Sequence, residues 1–321
     1  MLKLESNAAP FTACPDRFNS KGYREALPYE ERLQKLASVK GLDGVTLGWP
    51  CRDLTWFKLW LKENGMNVGT VGTDTYDDIK WSNGYLMNRD AGVRREAIES
   101  LKGAMDLASE FPGSDVLMWL ANDGYDYVFE DDYSKRWDWL MESLDEVAAY
   151  RSDVRVSLEY KKKEPRIRQY VSDYGKALFI CEKLKRDNLG VVVDIGHSLL
   201  ADESPAEAVA ICMKYGKLFH VHLNDNYGYW DDDLIFGSVH FWEFLETFYV
   251  LKEMNYDGWY ELDIWPYKGD GFDALQESVD RVRMIERLVD EIPCDVIAEA
   301  RKENNTVKAM RVLREVCIKN Y

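Results

Sequence analysis

The sequence predicts an α/β protein folded as a single (β/α)8 TIM barrel, and three observations support this prediction. Short apolar runs alternate with longer amphipathic helical patterns, giving eight strand–helix units in succession. No linker and no low-complexity segment interrupts the series. The run Gly190–Asp194 stays apolar up to its final aspartate, which is typical of a parallel strand buried on both faces. Together these features indicate a closed parallel barrel surrounded by helices.

The predicted strands are short, and each precedes an amphipathic segment. In chain order they are Phe11–Cys14, Gly44–Leu47, Asn67–Val71, Asp115–Trp119, Arg155–Glu159, Gly190–Asp194, Leu218–His222 and Trp259–Asp263. The helices predicted between and after them are Glu30–Val39, Leu54–Lys62, Gly92–Phe111, Trp137–Tyr150, Gln169–Leu184, Pro205–Met213, Phe241–Met254 and Phe272–Val289. The third helix has the clearest apolar stripe, and Asp90 is its expected N-cap because a carboxylate there accepts backbone N–H groups of the first turn.

The regular series is expected to end before Pro293, because the residue preceding a proline is pushed out of helical geometry. We therefore assign residues 1–291 to a barrel catalytic domain and residues 292–321 to a C-terminal helical extension. A helical stripe resumes over Val296–Ile318 and must pack either on the barrel or on another subunit. We favour a subunit contact, and hence a homo-oligomer, either a dimer or a tetramer.

The net charge of −16 argues against nucleic acid and anionic membranes as partners, because both are polyanionic. Six cysteines without a CxxC pair indicate neither a disulfide framework nor a thiolate zinc site, and they fit a reducing compartment. The N-terminus lacks the apolar core of a signal peptide, and no run approaches the roughly 20 apolar residues of a membrane span. We expect a cytoplasmic protein that acts on a small molecule.

Polar residues close four consecutive apolar strands in the second half of the chain. Glu159, Asp194, His222 and Asp263 each stand at the carboxyl end of a different predicted strand. The active sites of such barrels lie where these strand ends meet. Three carboxylates and one imidazole suit Mn²⁺, Mg²⁺ or Co²⁺ better than a structural zinc ion. The sequence therefore predicts a divalent-metal site at this rim.

A second group of metal-binding residue types follows the same strands. His197 lies three residues beyond Asp194, and Asp231 and Asp233 occupy an acidic loop after the seventh strand. They could form a second, more mobile metal position; the alternative is a solvated acidic loop. Of the two remaining histidines, His220 is expected to be a hydrogen-bonded interior residue and His240 a structural one.

Lys161 lies two residues after Glu159, on the same face of an extended chain. A lysine beside a metal-bound carboxylate can donate to a substrate oxygen on which negative charge develops. The alternative is that the segment Glu159–Arg166 is only a basic solvated loop. Tryptophan and tyrosine are abundant, with 11 and 19 copies, so aromatic walls of a sugar pocket and ordinary core packing are both open.

These segments resemble the xylose isomerase superfamily of TIM barrels, whose members include sugar isomerases and epimerases of carbohydrate metabolism. EYKKKEPR is similar to the EPKPNEPR segment of xylose isomerase, which implies that Glu159 binds metal and Lys161 contacts the sugar. DIGH is similar to the carboxylate-x-x-His pair that bridges two metals there, which implies such roles for Asp194 and His197.

The remaining motifs extend this resemblance. HLNDNYGYWDDDLIFG is similar to the HIDLN…DxDLxFG stretch, which implies metal-binding roles for His222, Asp231 and Asp233. ELDIWPYKGDG is similar to the last-strand segment, which gives Asp263. The set Glu, Asp, His, Asp looks closer to that of L-rhamnose isomerase. Trp119 resembles the aromatic wall residue of the fourth strand, and we add Trp49 and His197 as candidate substrate-binding residues.

The leading hypothesis is a divalent-metal-dependent sugar isomerase that interconverts an aldose and a ketose, with Lys161, Glu159 and Asp263 as catalytic residues. The alternative is a keto-sugar 3-epimerase or related lyase with one metal, in which Glu159 and a last-strand carboxylate, either Asp263 or Glu261, form an acid–base pair. Lys161 and the DxD pair favour the isomerase; the second strand lacks the histidine of xylose isomerase, which favours the epimerase. A metal-dependent DNA-repair endonuclease with the same barrel is a different class of enzyme. Its three-zinc site needs more than the four histidines present in this chain. A non-catalytic sugar-binding subunit is the last alternative.

Overall fold

The computed structural model describes residues 2–73, 78–164 and 167–318. Its eight parallel strands close into a barrel in the order β1-β11-β10-β9-β6-β4-β3-β2, so the predicted fold class is confirmed. The strands of the described residues are β1 (Lys3–Ser6), β2 (Gly44–Trp49), β3 (Asn67–Thr73), β4 (Asp115–Trp119), β5 (Gly124–Tyr125), β6 (Arg155–Glu159), β7 (Lys163–Glu164), β8 (Ile167–Gln169), β9 (Leu189–Asp194), β10 (Leu218–Leu223) and β11 (Trp259–Leu262). Each barrel strand pairs with the barrel strand before it in the chain, and β11 closes the ring on β1.

Helices cover the outside of the barrel and extend beyond its last strand. They are α1 (Tyr29–Ser38), α2 (Leu54–Asn64), α3 (Ala91–Ala108), α4 (Tyr133–Tyr150), α5 (Tyr174–Leu184), α6 (Ile195–Leu200), α7 (Pro205–Lys214), α8 (Phe241–Glu253), α9 (Gly271–Glu291), α10 (Cys294–Lys302) and α11 (Thr306–Cys317). Asp90 is the N-cap of α3 as predicted, accepting the Gly92 N–H at 2.7 Å. Within the part of the chain that the structure describes, no helix is both long and apolar enough to cross a lipid bilayer.

The predicted first strand, Phe11–Cys14, is wrong. The first barrel strand is β1, and Ala9–Phe11 form a turn of 3-10 helix instead. β1 was hidden because its inward side chain is a carboxylate, Glu5, so the segment does not read as apolar. Phe11 is buried because it packs on the core from outside the barrel, which gave its segment a misleading strand-like composition.

The predicted start of the fifth helix at Gln169 is also wrong. Ile167–Gln169 is strand β8, which pairs antiparallel with β5 and β7 in a small sheet at the end of β4 and β6 where the polar residues gather. The helix α5 begins at Tyr174, after the N-cap Asp173. Strands of two or three residues carry too little periodicity to be distinguished from a helix in the sequence.

The barrel interior contains a buried polar layer below the carboxyl ends of the strands. We call it the lower layer; its members are Glu5, Thr70, Asp115, Ser157 and His220, each at most 1% exposed. Glu5 accepts hydrogen bonds from Gly69 N at 2.9 Å and Thr70 Oγ1 at 2.8 Å. His220 lies between two carboxylates, with Nε2 3.2 Å from Glu5 and Nδ1 3.3 Å from Asp115. The expectation that His220 is a hydrogen-bonded interior residue is therefore met.

The last helices of the chain follow the final barrel helix after a break at Ile292 and Pro293. Helix α9 ends at Glu291, Ile292 is extended, and Pro293 precedes α10. The tail is a hairpin of two helices, α10 and α11, rather than one continuous helix. No residue of α11 is buried, so this helix is held only along one side.

Candidate metal centre

Four side chains from four strands meet at the carboxyl rim of the barrel. We call Glu159, Asp194, His222 and Asp263 the upper cluster. One ligand atom from each lies within 4.8 Å of all the others. His222 Nδ1 is 3.3 Å from Glu159 Oε1, 3.7 Å from Asp194 Oδ2 and 3.9 Å from Asp263 Oδ2. Ligand atoms bound to one divalent ion at about 2.1–2.4 Å have separations of this size.

The upper cluster carries more negative charge than its imidazole can balance. Glu159, Asp194 and His222 are buried, and only Asp263 is open to solvent, with 35% of its side chain exposed. Burial, together with the Glu159 and Asp231 carboxylates, raises the pKa of Asp194 to about 6 despite the opposing effect of His197. Burial opposes charging of His222, but Glu159, Glu261 and Asp263 raise its pKa well above the usual value. A divalent cation would balance these three carboxylates better than a single proton on His222 does.

The residues fit a divalent ion by their chemistry as well as by their spacing. Both ring nitrogens of His222 are buried and have no hydrogen-bond partner among the residues that the structure describes. A buried polar atom without a partner is costly, and ligation would satisfy Nδ1, which faces the three carboxylates. Three carboxylates with one imidazole suit Mn²⁺, Mg²⁺ or Co²⁺.

The other nitrogen of His222 faces a carboxylate held by the first strand. His222 Nε2 lies 3.5 Å from Glu261 Oε2. Asn7, just after β1, donates through Nδ2 to Glu261 Oε1 at 3.0 Å and to Asp263 Oδ1 at 2.9 Å. One amide therefore orients both carboxylates of the last strand segment. Burial raises the pKa of Glu261 to about 8.

A second trio of possible donors, His220, His222 and Glu261, also lies within 4.8 Å. It shares His222 with the upper cluster. A neutral imidazole binds a metal through one nitrogen and carries a proton on the other. If Nδ1 binds the ion, then Nε2–H points at Glu261, which is the carboxylate–histidine–metal arrangement that fixes a ligand ring. We therefore assign Glu261 to orienting His222.

Asp194 is held in place by the turn that follows it. It is the N-cap of α6, and Oδ1 accepts the His197 N–H at 2.7 Å. Its Oδ2 accepts from Asn224 Nδ2 at 2.7 Å, and Asn226 donates to the Gly196 carbonyl at 2.8 Å. Gly196 lies so close to the Asn224 side chain that a Cβ would not fit. The two asparagines thus fix the turn between Asp194 and His197.

Asn224, Asn226 and Asn7 were missed in the sequence analysis. A signal for the first two existed, because they lie two and four residues after His222 in an extended chain and so share its face. Nothing comparable marks Asn7, whose partners are more than 250 residues away in the chain.

The structure brings two residues of the predicted second metal position, His197 and Asp231, into contact. His197 Nδ1 lies 3.0 Å from the Tyr160 carbonyl, and Nε2 lies 3.2 Å from Asp231 Oδ2. With a proton on Nδ1, the second nitrogen faces a carboxylate and requires another proton or a cation. Burial opposes protonation, but Asp194 and Asp231 raise the pKa of His197 to about 9.

Asp233 lies on the same loop, which is anchored at both ends. Asp225 and Leu234 exchange backbone hydrogen bonds at 2.8 and 3.2 Å, and buried Asp225 also binds His240 Nδ1 at 2.8 Å. His240 thus has the structural position expected for it. Burial and the Asp231 carboxylate raise the pKa of Asp233 well above its usual value. Among the described residues, two groups of side chains are close enough together to hold a metal ion, and neither group contains His197, Asp231 or Asp233. The second metal position therefore stays a prediction.

Lys161 is not part of a solvated loop. It is 4% exposed, its Nζ lies 2.6 Å from Asp231 Oδ2 and contacts Glu164, and it stands 4.8 Å from the centre of the Trp119 ring. Burial opposes the charge, but Asp231 and Glu164 raise the pKa of Lys161 well above its usual value. A permanent ammonium group therefore lies beside the upper cluster against an aromatic wall. Pro165 and Arg166 of the quoted motif lie outside the described residues.

The two predicted tryptophans lie in different places. Trp119 ends β4, is in register with Glu159 and contacts Lys161, so it borders the site. Trp49 ends β2, and its ring lies directly against Gly103 of α3, where no Cβ would fit. Trp49 therefore points toward the helical layer, and the structure does not bring it together with the other predicted substrate-binding residues.

Comparison with known proteins identifies relatives in sequence. Residues 33–287 match the family model described as a xylose isomerase-like TIM barrel. The xylose isomerase of Thermus thermophilus is 31% identical over 208 residues, which are 63% of this chain and 54% of that protein. The xylose isomerase of Thermus caldophilus is 30% identical over the same lengths. The chain therefore spans about half the length of the curated relatives that it matches.

Solved structures of similar fold carry epimerase names. An L-ribulose 3-epimerase has a TM-score of 0.72 at 14% identity, covering 90% of this chain and 96% of that one. A D-tagatose 3-epimerase-like protein has a TM-score of 0.68 at 19% identity, covering 90% of this chain and all of that one. The 3-keto-D-glucoside 4-epimerase of E. coli has a TM-score of 0.66 at 16% identity, covering 89% and 100%. At these identities the likeness is one of fold.

Proposed function

The chain belongs to the xylose isomerase-like TIM barrel family, and on that premise we propose that it is a divalent-metal-dependent sugar isomerase interconverting an aldose and a ketose. The observation that carries this proposal is the convergence of Glu159, Asp194, His222 and Asp263 beside the buried ammonium group of Lys161. The sequence relatives named xylose isomerase support the reaction class.

The upper cluster would hold the ion, and a divalent ion bound there supplies Lewis-acid polarisation of substrate oxygens. Lys161 would donate a hydrogen bond to the substrate carbonyl oxygen as negative charge develops on it. The Trp119 ring restricts where the ammonium group can lie and shields it from water. With Glu159 and Asp194 buried, hydrogen can move between neighbouring carbons of the sugar with little access to solvent.

The finer part of the proposal concerns a second ion at His197, Asp231 and Asp233. Lys161 now occupies one oxygen of Asp231 at 2.6 Å, and His197 contacts the same oxygen at 3.2 Å. The other oxygen, Asp231 Oδ1, is buried without a hydrogen-bond partner among the described residues, so an ion could bind there while Lys161 stays on Oδ2. We propose Mn²⁺, Mg²⁺ or Co²⁺ as the native metal.

The second candidate function is a keto-sugar 3-epimerase or a related lyase with one ion. It is favoured by a specific observation: the two possible donor groups among the described residues share His222, and neither includes His197, Asp231 or Asp233. Glu159 and Asp263, from strands on opposite sides of His222, would then exchange protons with the two faces of the substrate. The structural neighbours named as epimerases have this fold.

A solvent-isotope experiment separates the two candidates. The protein is incubated in D2O with Mn²⁺ and a panel of pentoses and hexoses, and deuterium in the product is measured by NMR. Little deuterium at the carbon that gains hydrogen would support a hydride shift and the isomerase; full exchange would support proton transfer and the epimerase. No turnover of any sugar with Mn²⁺, Mg²⁺ or Co²⁺ would contradict both and favour a binding subunit.

Lys161→Met provides the matching variant, and its exposed neighbour provides the control. We expect turnover to fall about 10²–10³-fold with metal affinity close to normal, because one donor to the developing charge is lost. Lys162→Met should leave turnover unchanged, since Lys162 points to solvent and pairs with Asp202. An unchanged rate in Lys161→Met would support the epimerase.

We also propose that the protein is a cytoplasmic homo-oligomer whose substrate is a small sugar. All six cysteines are free thiols, which is compatible with a reducing compartment. Which sugar fits depends on the loops at the carboxyl rim, and the panel above identifies it.

A further inference from the structure

The loops after the first and last barrel strands meet at the carboxyl rim and place two tyrosines against each other. Tyr23 follows β1 and Tyr267 follows β11, and these two strands are neighbours in the barrel. The two rings are stacked, with their centres 4.7 Å apart and an angle of 9° between their planes. Tyr23 is 38% exposed and Tyr267 is 36% exposed. This tyrosine pair therefore presents part of its aromatic surface to solvent.

Hydrogen bonds within and between the two loops hold the tyrosine pair in place. The Tyr23 hydroxyl group donates to Asp16 Oδ2 at 2.8 Å. Arg24, the next residue, donates to the Gly269 carbonyl at 3.1 Å and also contacts the Pro266 carbonyl, so its guanidinium group joins the first loop to the last. A surface that is already fixed loses little conformational entropy when a ligand packs on it.

The tyrosine pair lies close to the upper cluster. Tyr267 comes four residues after Asp263, so their Cα atoms are at most about 14 Å apart even if the chain between them is fully extended. Between them, Trp265 N–H donates to the Asp233 carbonyl at 2.9 Å, which connects this loop to the acidic loop of the site. Burial and the nearby Asp16 and Asp233 carboxylates raise the pKa of Tyr267 to about 12. A sugar held at the upper cluster can therefore reach the pair with a second unit.

The surroundings of the pair combine an aromatic face with hydrogen-bond acceptors. The C–H face of a sugar ring is apolar and packs on aromatic rings, whereas the hydroxyl groups at its edge need hydrogen-bond partners. Asp16 and Asp232 lie near Tyr267 and supply carboxylate acceptors. The acidic loop adds Tyr227 and Tyr229, which are 63% and 81% exposed. Tyrosine offers both an apolar body and a polar tip, so this part of the rim suits a sugar ring.

We propose that Tyr23 and Tyr267 form a subsite for a second sugar unit, so that the substrate is a short oligosaccharide whose reducing end lies at the upper cluster. This inference rests on the sugar isomerase proposed above, because the reacting unit must present its carbonyl group to the ion. The path between the two positions is open, since Asp263 is the member of the upper cluster that solvent reaches, with 35% of its side chain exposed. A monosaccharide bound at the ion would leave the tyrosine pair unused.

Calorimetric titration of the full chain in the presence of saturating Mn²⁺ tests the proposal. The probes are xylobiose, cellobiose and maltose, each compared with its own reducing-end monosaccharide, xylose or glucose. We expect at least one disaccharide to bind with a Kd about 10-fold or more below that of its monosaccharide, because its second ring contacts the pair. In Tyr267→Ala that disaccharide should bind about 10-fold more weakly, whereas the monosaccharide should keep its affinity.

Two further variants separate a contact with sugar from a general defect. Tyr267→Phe keeps the aromatic ring, so its affinity for the disaccharide should stay within about three-fold of the wild type. Tyr215→Ala removes a tyrosine that is 54% exposed at the end of α7, on the amino side of the barrel, and should change neither affinity. Titration with Mn²⁺ verifies that each variant is folded and has an intact metal centre.

Disaccharides that bind no better than their monosaccharides overturn the proposal, and so does the absence of any disaccharide binding. Equal weakening of both ligands in Tyr267→Ala also overturns it, because the pair would then act only through the metal centre. Turnover is measured separately. Tyr267-dependent binding of a disaccharide without conversion of any sugar contradicts the isomerase alone. Conversion of xylose or glucose without a preference for the disaccharide contradicts the subsite alone.

Discussion

The upper cluster and the lower layer place an imidazole among buried carboxylates at two depths of the same barrel, yet they differ in how the charge is balanced. His220 and His222 are two residues apart on β10 and share a face. His220 Nδ1 has Asp115 and Thr70 within hydrogen-bond distance, whereas Nε2 faces Glu5 at 3.2 Å without a hydrogen bond. His222 has three carboxylates near Nδ1, and neither of its nitrogens has a hydrogen bond among the described residues.

The difference shows how a structural polar layer can be told from a site that needs an ion. In the lower layer one protonated imidazole lies between two carboxylates, which also receive hydrogen bonds from Gly69, Thr70 and Ser157. In the upper cluster three carboxylates meet one imidazole, and their hydrogen-bond donors are uncharged groups, so the negative charge is costly unless a further cation is present. The following variants test this distinction, from the largest expected effect to the smallest.

Removing one carboxylate of the upper cluster should have the largest effect. In Asp194→Asn we expect metal binding and sugar turnover to be lost, because the amide removes one negative charge and one ligand oxygen from the centre. Isothermal titration with Mn²⁺ and a turnover assay measure both. Asp232→Asn, on the nearby acidic loop but outside the donor groups, is the control and should bind Mn²⁺ normally. Metal binding retained in Asp194→Asn would exclude this residue from the centre.

Removing the imidazole of the lower layer should instead affect folding. His220→Asn leaves Glu5 and Asp115 buried without their cation, so we expect the free energy of unfolding to fall by about 3–5 kcal/mol. Urea denaturation followed by circular dichroism measures the loss. Metal affinity of the folded variant should stay within a few-fold of the wild type. A large fall in metal affinity would break the comparison by assigning His220 to the trio with His222 and Glu261.

Glu261 lies between the upper cluster and the lower layer, and we expect it to affect metal binding indirectly. Glu261→Gln keeps the volume but removes the charge that faces His222 Nε2, so we expect metal affinity to fall about 10–100-fold. Titration with Mn²⁺ at neutral pH measures the change. Asn7→Ala should weaken binding in the same direction, since Asn7 holds this carboxylate. Unchanged affinity in both variants would mean that the orientation of His222 does not depend on them.

The pH dependence of stability should show the smallest effect. The carboxylates around His197 and His220 raise the pKa of each imidazole from 6.5 to about 9 against the opposing effect of burial. The metal-free folded state therefore binds more protons than the unfolded state in this interval. The contribution of these two imidazoles to stability is therefore complete below about pH 6.5 and is lost as the pH rises through 9.

Mn²⁺ should reduce this slope, because the charge of an ion in the upper cluster would oppose protonation of His197, which lies 3.3 Å from Glu159, more than that of His220 in the lower layer. Chemical unfolding at several pH values with and without Mn²⁺ measures the difference. Equal slopes under both conditions would indicate that both levels balance their charge in the same way, which is the opposite of what we infer.

The order of the barrel elements followed from the sequence because most strands are apolar on both faces. β4 and β6 were predicted with their observed bounds, Asp115–Trp119 and Arg155–Glu159. β1 was not found, because Glu5 faces the interior and is stabilised by Gly69 and Thr70 of a neighbouring strand. A strand whose buried side chain is polar can be identified only once its partners are known.

The candidate site was likewise predicted only in part. Its four strand-end residues were predictable from their position, since parallel strands of a barrel end at one rim. Their supporting residues, Asn7, Asn224 and Glu261, were not assigned these roles, because an amide or carboxylate hydrogen bond leaves no periodic pattern. The direction of the Trp49 side chain was also missed. Side chains alternate along β2, so Trp49 lies on the same outward face as Leu47 and not on the inward face of Gly48.

The contact of Asn7 with Glu261 and Asp263 has a consequence for biosynthesis. Asn7 is synthesised well before its partners, which follow 254 and 256 positions later. A nascent chain therefore lacks an oriented pair of carboxylates at Glu261 and Asp263 until residue 263 has left the ribosome. The proposed loading of an ion would then have to wait until the segments around β1 and β11 have paired.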